Sequence, residues 1–296
     1  MPGATWIGRY RLRRAGRPLH LLAVALALLI TAPGGGAGAA DDPELTDEEA
    51  EDLVLFVNGN TLFTLYHELG HALVHRLEIP VLGREEDAVD SLAGWLMVPE
   101  EPDAAAEELL MAAGDGHALA AWFGEDDELA FWDEHSMDLQ RFAAIYCLLY
   151  GSDPEGFAEL ADDIEMPDGD RERCPATYAQ VEASWLSVLA PHLRDGPGDR
   201  PGGGRIVVRF EVPGPELDPA LKDLVEVPGL MQAAADDLSA QLVLPGDIPV
   251  LFRTCGEENA FYDPETGQVE MCYELIAWFV DLYLQDLEEM RAEGED

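Results

Sequence analysis

Residues 59–73 read GNTLFTLYHELGHAL, and within them His67-Glu68-Leu69-Gly70-His71 is an HExxH pattern. Leu62, Leu65, Leu69, Ala72 and Leu73 recur at helical spacing, so the pattern sits on a helix. Residues four apart stack on one helix face, which lets His67 and His71 aim both imidazoles at one ion. Glu68 then stands beside that ion, placed to take a proton from a water rather than to bind the metal itself. Gly70 costs about 1 kcal/mol in a helix interior, so close approach of a neighbouring strand or of substrate is expected there. His75 continues the face but lies two turns, about 12 Å, from His67. One ion is not ligated at about 2 Å by both, and His75 reads as a supporting or surface residue. The bland alternative is an exposed helix with two solvated histidines, and the apolar flanks on both sides argue against it.

A catalytic zinc takes three protein ligands and keeps one position open. The third is sought downstream, in REEDAVDSLAGWLM (84–97), a helical stretch with acids on one side and apolar residues on the other. Glu86 and Asp90 are four apart and share a face. Glu86 is assigned as third ligand and Asp90 as the carboxylate that orients a ligand histidine. Glu85 and Asp87 are the alternatives, and a solvated acidic face competes with all of them. In DEHSMD (133–138), His135 is a candidate donor to the oxyanion formed when water attacks a carbonyl; the competing reading is a helix start capped by Ser136 or Asp133. In NAFY (259–262), Tyr262 either faces the site or packs within a disulfide-closed hairpin, and packing is favoured.

From Leu53 to about His192 the signals are nearly all helical, after an acidic and loose leader over residues 40–51. DGPGDRPGGG (195–204) is a flexible connector. Beyond it the period changes. Ile206, Val208 and Phe210 alternate with Val207, Arg209 and Glu211 as in a strand. Residues 229–243 read as a helix and 248–252 as a strand, then 263–267 as a turn between two short strands ending at Cys272. An amphipathic helix from Tyr273 to about Met290 follows. The division is therefore 1–39, 40–194 with the metal site, the connector 195–204, and a strand-rich part 205–296.

The chain has 296 residues, 60 acids against 17 bases, and a net charge of −43. That field repels phosphate and excludes gripping nucleic acid or an anionic membrane. With 48% apolar and 8% aromatic residues, the composition is that of a chain with a core rather than of acidic disorder. Five arginines and no acid fall within residues 1–39, followed by an apolar run (Leu21–Ile30) and Ala37-Gly38-Ala39. This is the pattern of a secretory signal peptide, with an uncleaved anchor as the alternative. Without those residues, 12 bases face 60 acids, a charge of −48, and Lys222 is the single lysine. Salt adaptation and a genome that replaces Lys by Arg explain this equally well. An exported chain, periplasmic or extracellular, with four cysteines favours disulfides. Of three pairings, Cys147–Cys174 and Cys255–Cys272 keep each bridge within one half of the chain.

HELGH followed some 15 residues later by ExxxD resembles the glutamate zincins, metallopeptidases whose third ligand is a glutamate. The closer resemblance is to a bacterial family of unknown function in that clan described as "putative metallopeptidase". GNTLFTLYHELGHAL (59–73), GREEDAVDSLA (83–93), FWDEHSMDLQRF (131–142) with CLLYGSDP (147–154), and CGEENAFYDP with CYEL (255–275) carry it. The resemblance implies zinc, a peptide or protein substrate, and an α+β, mainly helical zincin-like metallopeptidase fold. It also implies a small sheet subdomain supplied by the C-terminal part, completing one catalytic unit in an order exchanged relative to the usual zincin. No membrane partner beyond the export signal is expected. The contrasting reading is a non-catalytic zincin-fold binding module that retains its metal.

Overall fold

The computed structural model describes residues 45–124, 135–194 and 203–294. The leader 1–39 and residues 195–202 of the connector lie outside the described residues. Helix α1 (Asp47–Leu77) runs through the centre. Thr46 starts it with a capping box: its hydroxyl accepts the Glu49 N–H, and the Glu49 carboxylate accepts the Thr46 N–H. Residues 47–51 are therefore helix, not the loose leader that their acidity indicates. Acids suit the positive end of the helix dipole, and the cap there is built from them.

Against α1 pack α2 (Glu85–Met97) and α3 (Ala104–Phe123); α4 (Asp138–Ser152) packs on α2 and α3, with α5 (Ala158–Asp163) and α6 (Asp168–Leu189) stacked outside α4. Past the connector come β1 (Ile206–Phe210), α7 (Ala220–Glu226), α8 (Leu230–Gln241), β2 (Ile248–Arg253), β3 (Ala260–Asp263), β4 (Gln268–Cys272) and α9 (Tyr273–Gly294). The short α7 has no clear periodicity in the sequence.

The four strands form one sheet in the order β1-β2-β4-β3. β1, β2 and β4 are parallel, with Val208 opposite Val250 and Val250 opposite Val269. A parallel pair needs a crossover, and α7 and α8 supply it between β1 and β2. β3 turns back through residues 263–267 to lie antiparallel on β4, with Tyr262 opposite Val269. It is the edge strand beside α1. The fold is thus α+β and mainly helical, with its small sheet in the C-terminal part. One continuous core of buried side chains includes Leu65, Leu69 and Leu73 of α1, Val250 and Phe252 of β2, and Ile276 of α9.

Disulfides join Cys147 to Cys174, tying α4 to α6, and Cys255 to Cys272, tying the segment before β3 to the end of β4. Among the described residues no helix is long and apolar enough to cross a membrane.

Candidate metal centre

α1 presents His67, Glu68 and His71 together, with His67 and Glu68 only 4% and 6% exposed. α2 lies directly against this turn. A Cβ on Gly70 would stand 2.8 Å from Val89 Cβ, so the element that needs the bare backbone is neither a strand nor substrate but helix α2. That close crossing sets Glu86 and Asp90, one turn apart on α2, over the two imidazoles.

His67 Nε2 and His71 Nε2 are 3.2 Å apart, and Glu86 Oε2 lies 3.1 Å from the first and 3.3 Å from the second. The other two acids of the triplet face elsewhere. Glu85 Oε1 accepts from His71 Nδ1 at 2.8 Å, and Asp87 Oδ1 accepts from the Ser136 hydroxyl at 2.6 Å. Asp90 Oδ1 meets His67 Nδ1 at 2.7 Å, and Arg141 grips the same carboxylate with two hydrogen bonds, of 2.8 and 2.7 Å. Sequence reading placed Asp90 but missed Glu85 as a partner of His71. It also missed the clamp from Arg141, whose role depends on α4 crossing α2.

Each imidazole thus directs Nδ1–H to a carboxylate, which leaves both Nε2 atoms with lone pairs. Those lone pairs and Glu86 Oε2 converge. Glu86 Oε2 is buried and in hydrogen-bonding geometry with no donor, although three imidazole nitrogens surround it. With the imidazoles neutral, three acceptors meet at one point, an arrangement that can hold a cation. His67, His71 and Glu86 have ligand atoms all within 4.8 Å of one another, and two nitrogens with one oxygen make a donor set that suits zinc. The only other such group among the described residues is Cys255, Cys272 and Glu274. There the sulfurs are bonded together, and the carboxylate accepts the N–H groups of Cys255 and Gly256.

Electrostatics follow the geometry. The imidazoles of His135, His67 and His71 hold the Glu86 carboxyl far below the usual carboxylate range. Burial disfavours charge on His67, but Asp90 and Glu86 outweigh it and lift its pKa to about 9. The same carboxylates reward a divalent ion in place of protons. Burial pushes the Glu68 carboxyl up, against the pull of His67 and His71 and of the Tyr262 backbone N–H that it accepts.

His135 sets Nε2 3.2 Å from Glu86 Oε2, its ring stacked on His67 at a centroid distance of 6.0 Å. The capping alternative for Ser136 fails: α4 begins at Asp138 with Met137 in the cap position, and the Ser136 hydroxyl goes to Asp87. Asp133 lies outside the described residues. The Tyr262 side chain turns away, its hydroxyl 2.8 Å from Nδ1 of the exposed His75, so only its backbone faces Glu68. A cleft of about 340 Å3 opens beside Glu68, His67 and His135.

A protein family described as "Putative metallopeptidase" matches residues 39–189 and 215–296, which is most of the chain. The chain belongs to this family. The matched residues of this metallopeptidase family include every side chain placed at the centre above, and a metallopeptidase requires the metal that its His/His/Glu group can hold. No curated protein and no solved structure is matched by the chain.

Proposed function

We propose that this protein is an exported zinc peptidase that hydrolyses peptide bonds with Glu68 as general base. The observation that carries the reading is the convergence of His67 Nε2, His71 Nε2 and Glu86 Oε2 with the Glu68 carboxylate beside them. His67, His71 and Glu86 would hold the ion. Imidazole ligands favour zinc over calcium, which takes six to eight oxygens. Bound zinc polarises a carbonyl and lowers the pKa of a nearby water towards about 7.

The chain's own groups do the rest. Glu68 takes the proton of the attacking water and returns it to the leaving amine, a role that its raised pKa favours. His135, half exposed at the mouth, donates to the oxyanion. Asp90 and Glu85 fix the tautomers of His67 and His71, and Arg141 fixes Asp90. An extended peptide would lie along the outer side of β3, next to Asn259 and Ala260, which line the cleft. Because Glu68 and Tyr262 stand on opposite sides of the connector and hydrogen-bond each other, the catalytic unit spans both parts of the chain. Two disulfides suit an oxidising, periplasmic or extracellular setting.

The test compares zinc-loaded wild type with Glu68→Gln on a peptide pool. A loss of at least about 10³-fold in turnover with zinc retained is expected. Equal activity in both proteins rejects the mechanism. Zinc bound by a wild type that cleaves nothing points instead to a non-catalytic binding module.

A further inference from the structure

The cleft beside Glu68 has several acceptors in its lining. Asn60 is 5% exposed, and both its amide hydrogens are committed to carbonyls, those of Phe56 and Ala112 at 2.9 Å. Its Oδ1 receives no donor among the described residues and packs on Gly116, where any Cβ would collide with it. His117 directs Nδ1–H to Asp138 at 2.9 Å, which leaves Nε2 as an acceptor. Burial lowers the pKa of His117 and keeps the ring neutral, so it does not cancel the Asp138 carboxylate. Glu258 adds a second carboxylate at the rim, and the basic side chain Arg141 in the lining is engaged by Asp90.

Asn60 Oδ1, His117 Nε2, Asp138 and Glu258 thus bring four acceptors to the lining, beside the donors His135 and Asn259 nearer Glu68, and the remaining wall includes Trp278 and Leu275. His117, Asp138 and Glu258 form no group tight enough for a metal ion among the described residues. A cation that carries its own donors on an apolar stem matches both facts. We propose that this cleft is a subsite for a lysine or arginine side chain of the substrate. Asp138 and Glu258 face the charge, the Asn60 oxygen and His117 Nε2 accept from it, and Trp278 flanks the stem. The proposal rests on the peptidase reading for its substrate, but the cation site itself does not.

Two measurements test it. In the first, peptides that carry Arg, Lys, norleucine or Glu at each position around the scissile bond are compared by kcat/KM. Wild type is expected to prefer Arg or Lys over norleucine about tenfold at one position. Glu258→Gln is expected to cut that ratio severalfold, and Glu258→Lys to shift preference towards Glu. A ratio near one at every position overturns the proposal and leaves the peptidase reading intact. In the second, n-butylguanidinium and its neutral counterpart N-butylurea are titrated into the full chain carrying Glu68→Gln, with calorimetric heat as readout. Binding of the cation alone, weakened about tenfold by Glu258→Lys, supports the subsite even if no peptide is cleaved. Equal binding of both probes, or of neither, overturns it.

Discussion

The crossing of α2 over Gly70 ties stability to metal binding, and Gly70→Ala separates the two. A Cβ at residue 70 would meet Val89 Cβ at 2.8 Å and Val89 Cγ1 at 2.9 Å, and Val89 is fully buried. Carbon atoms pack at about 3.5–4.0 Å, so α2 must retreat by about 0.7–1.2 Å. Alanine returns about 1 kcal/mol of helix propensity, while overpacking of this kind costs about 1–3 kcal/mol. The net loss is then about 0–2 kcal/mol. The effect on the centre is larger. Glu86 sits one turn before Val89 and moves with it, while ligand distances tolerate only about 0.2 Å. Zinc affinity is expected to fall about 10–100-fold. Competition against a chromophoric chelator measures it, alongside melts of the metal-free protein. Gly169 is the control: it also lies in a helix, α6, but nothing stands within 4 Å of a Cβ there. Gly169→Ala should leave zinc affinity untouched. Unchanged affinity in Gly70→Ala would refute the argument that this contact sets the position of Glu86.

Three other outcomes are expected. Asp90→Ala strips His67 of its Nδ1 acceptor and leaves Arg141 without its partner; it should cost about 3 kcal/mol in denaturant unfolding and about tenfold or more in zinc affinity. Asp115 is pushed up to about 7 by burial, against the hydrogen bond from Tyr146. A raised carboxyl pKa means that the folded state holds the proton more tightly, so stability is lost as pH rises from about 4 to 7. Asp115→Asn keeps an acceptor for Tyr146 and removes that loss; it should raise Tm at pH 7–8 by an amount that vanishes near pH 4, and an equal effect at both pH values would contradict the assignment. Removing the Cys147–Cys174 bridge, which spans 27 residues, should cost up to about 3.5 kcal/mol by loop entropy. Zinc affinity should survive, since the bridge belongs to the separate core cluster around Phe142 and Tyr146, and a loss of metal would show that cluster to be coupled to the centre.

The HExxH spacing and the acids of residues 84–97 were readable because helix periodicity maps sequence distance onto a face: i and i+4 converge wherever the helix goes. The strand alternation over 206–210 and the turn at 263–267 were readable for the same local reason. Which acid of the triplet 85–87 meets the two Nε2 atoms was not, because all three lie within one turn and only the crossing at Gly70 selects among them. Glu85 on His71, Arg141 on Asp90 and the backbone of Tyr262 on Glu68 join residues 14, 51 and 194 positions apart. No local pattern encodes such pairings. They follow from how rigid, buried helices and an edge strand pack, and that is a property of the whole core.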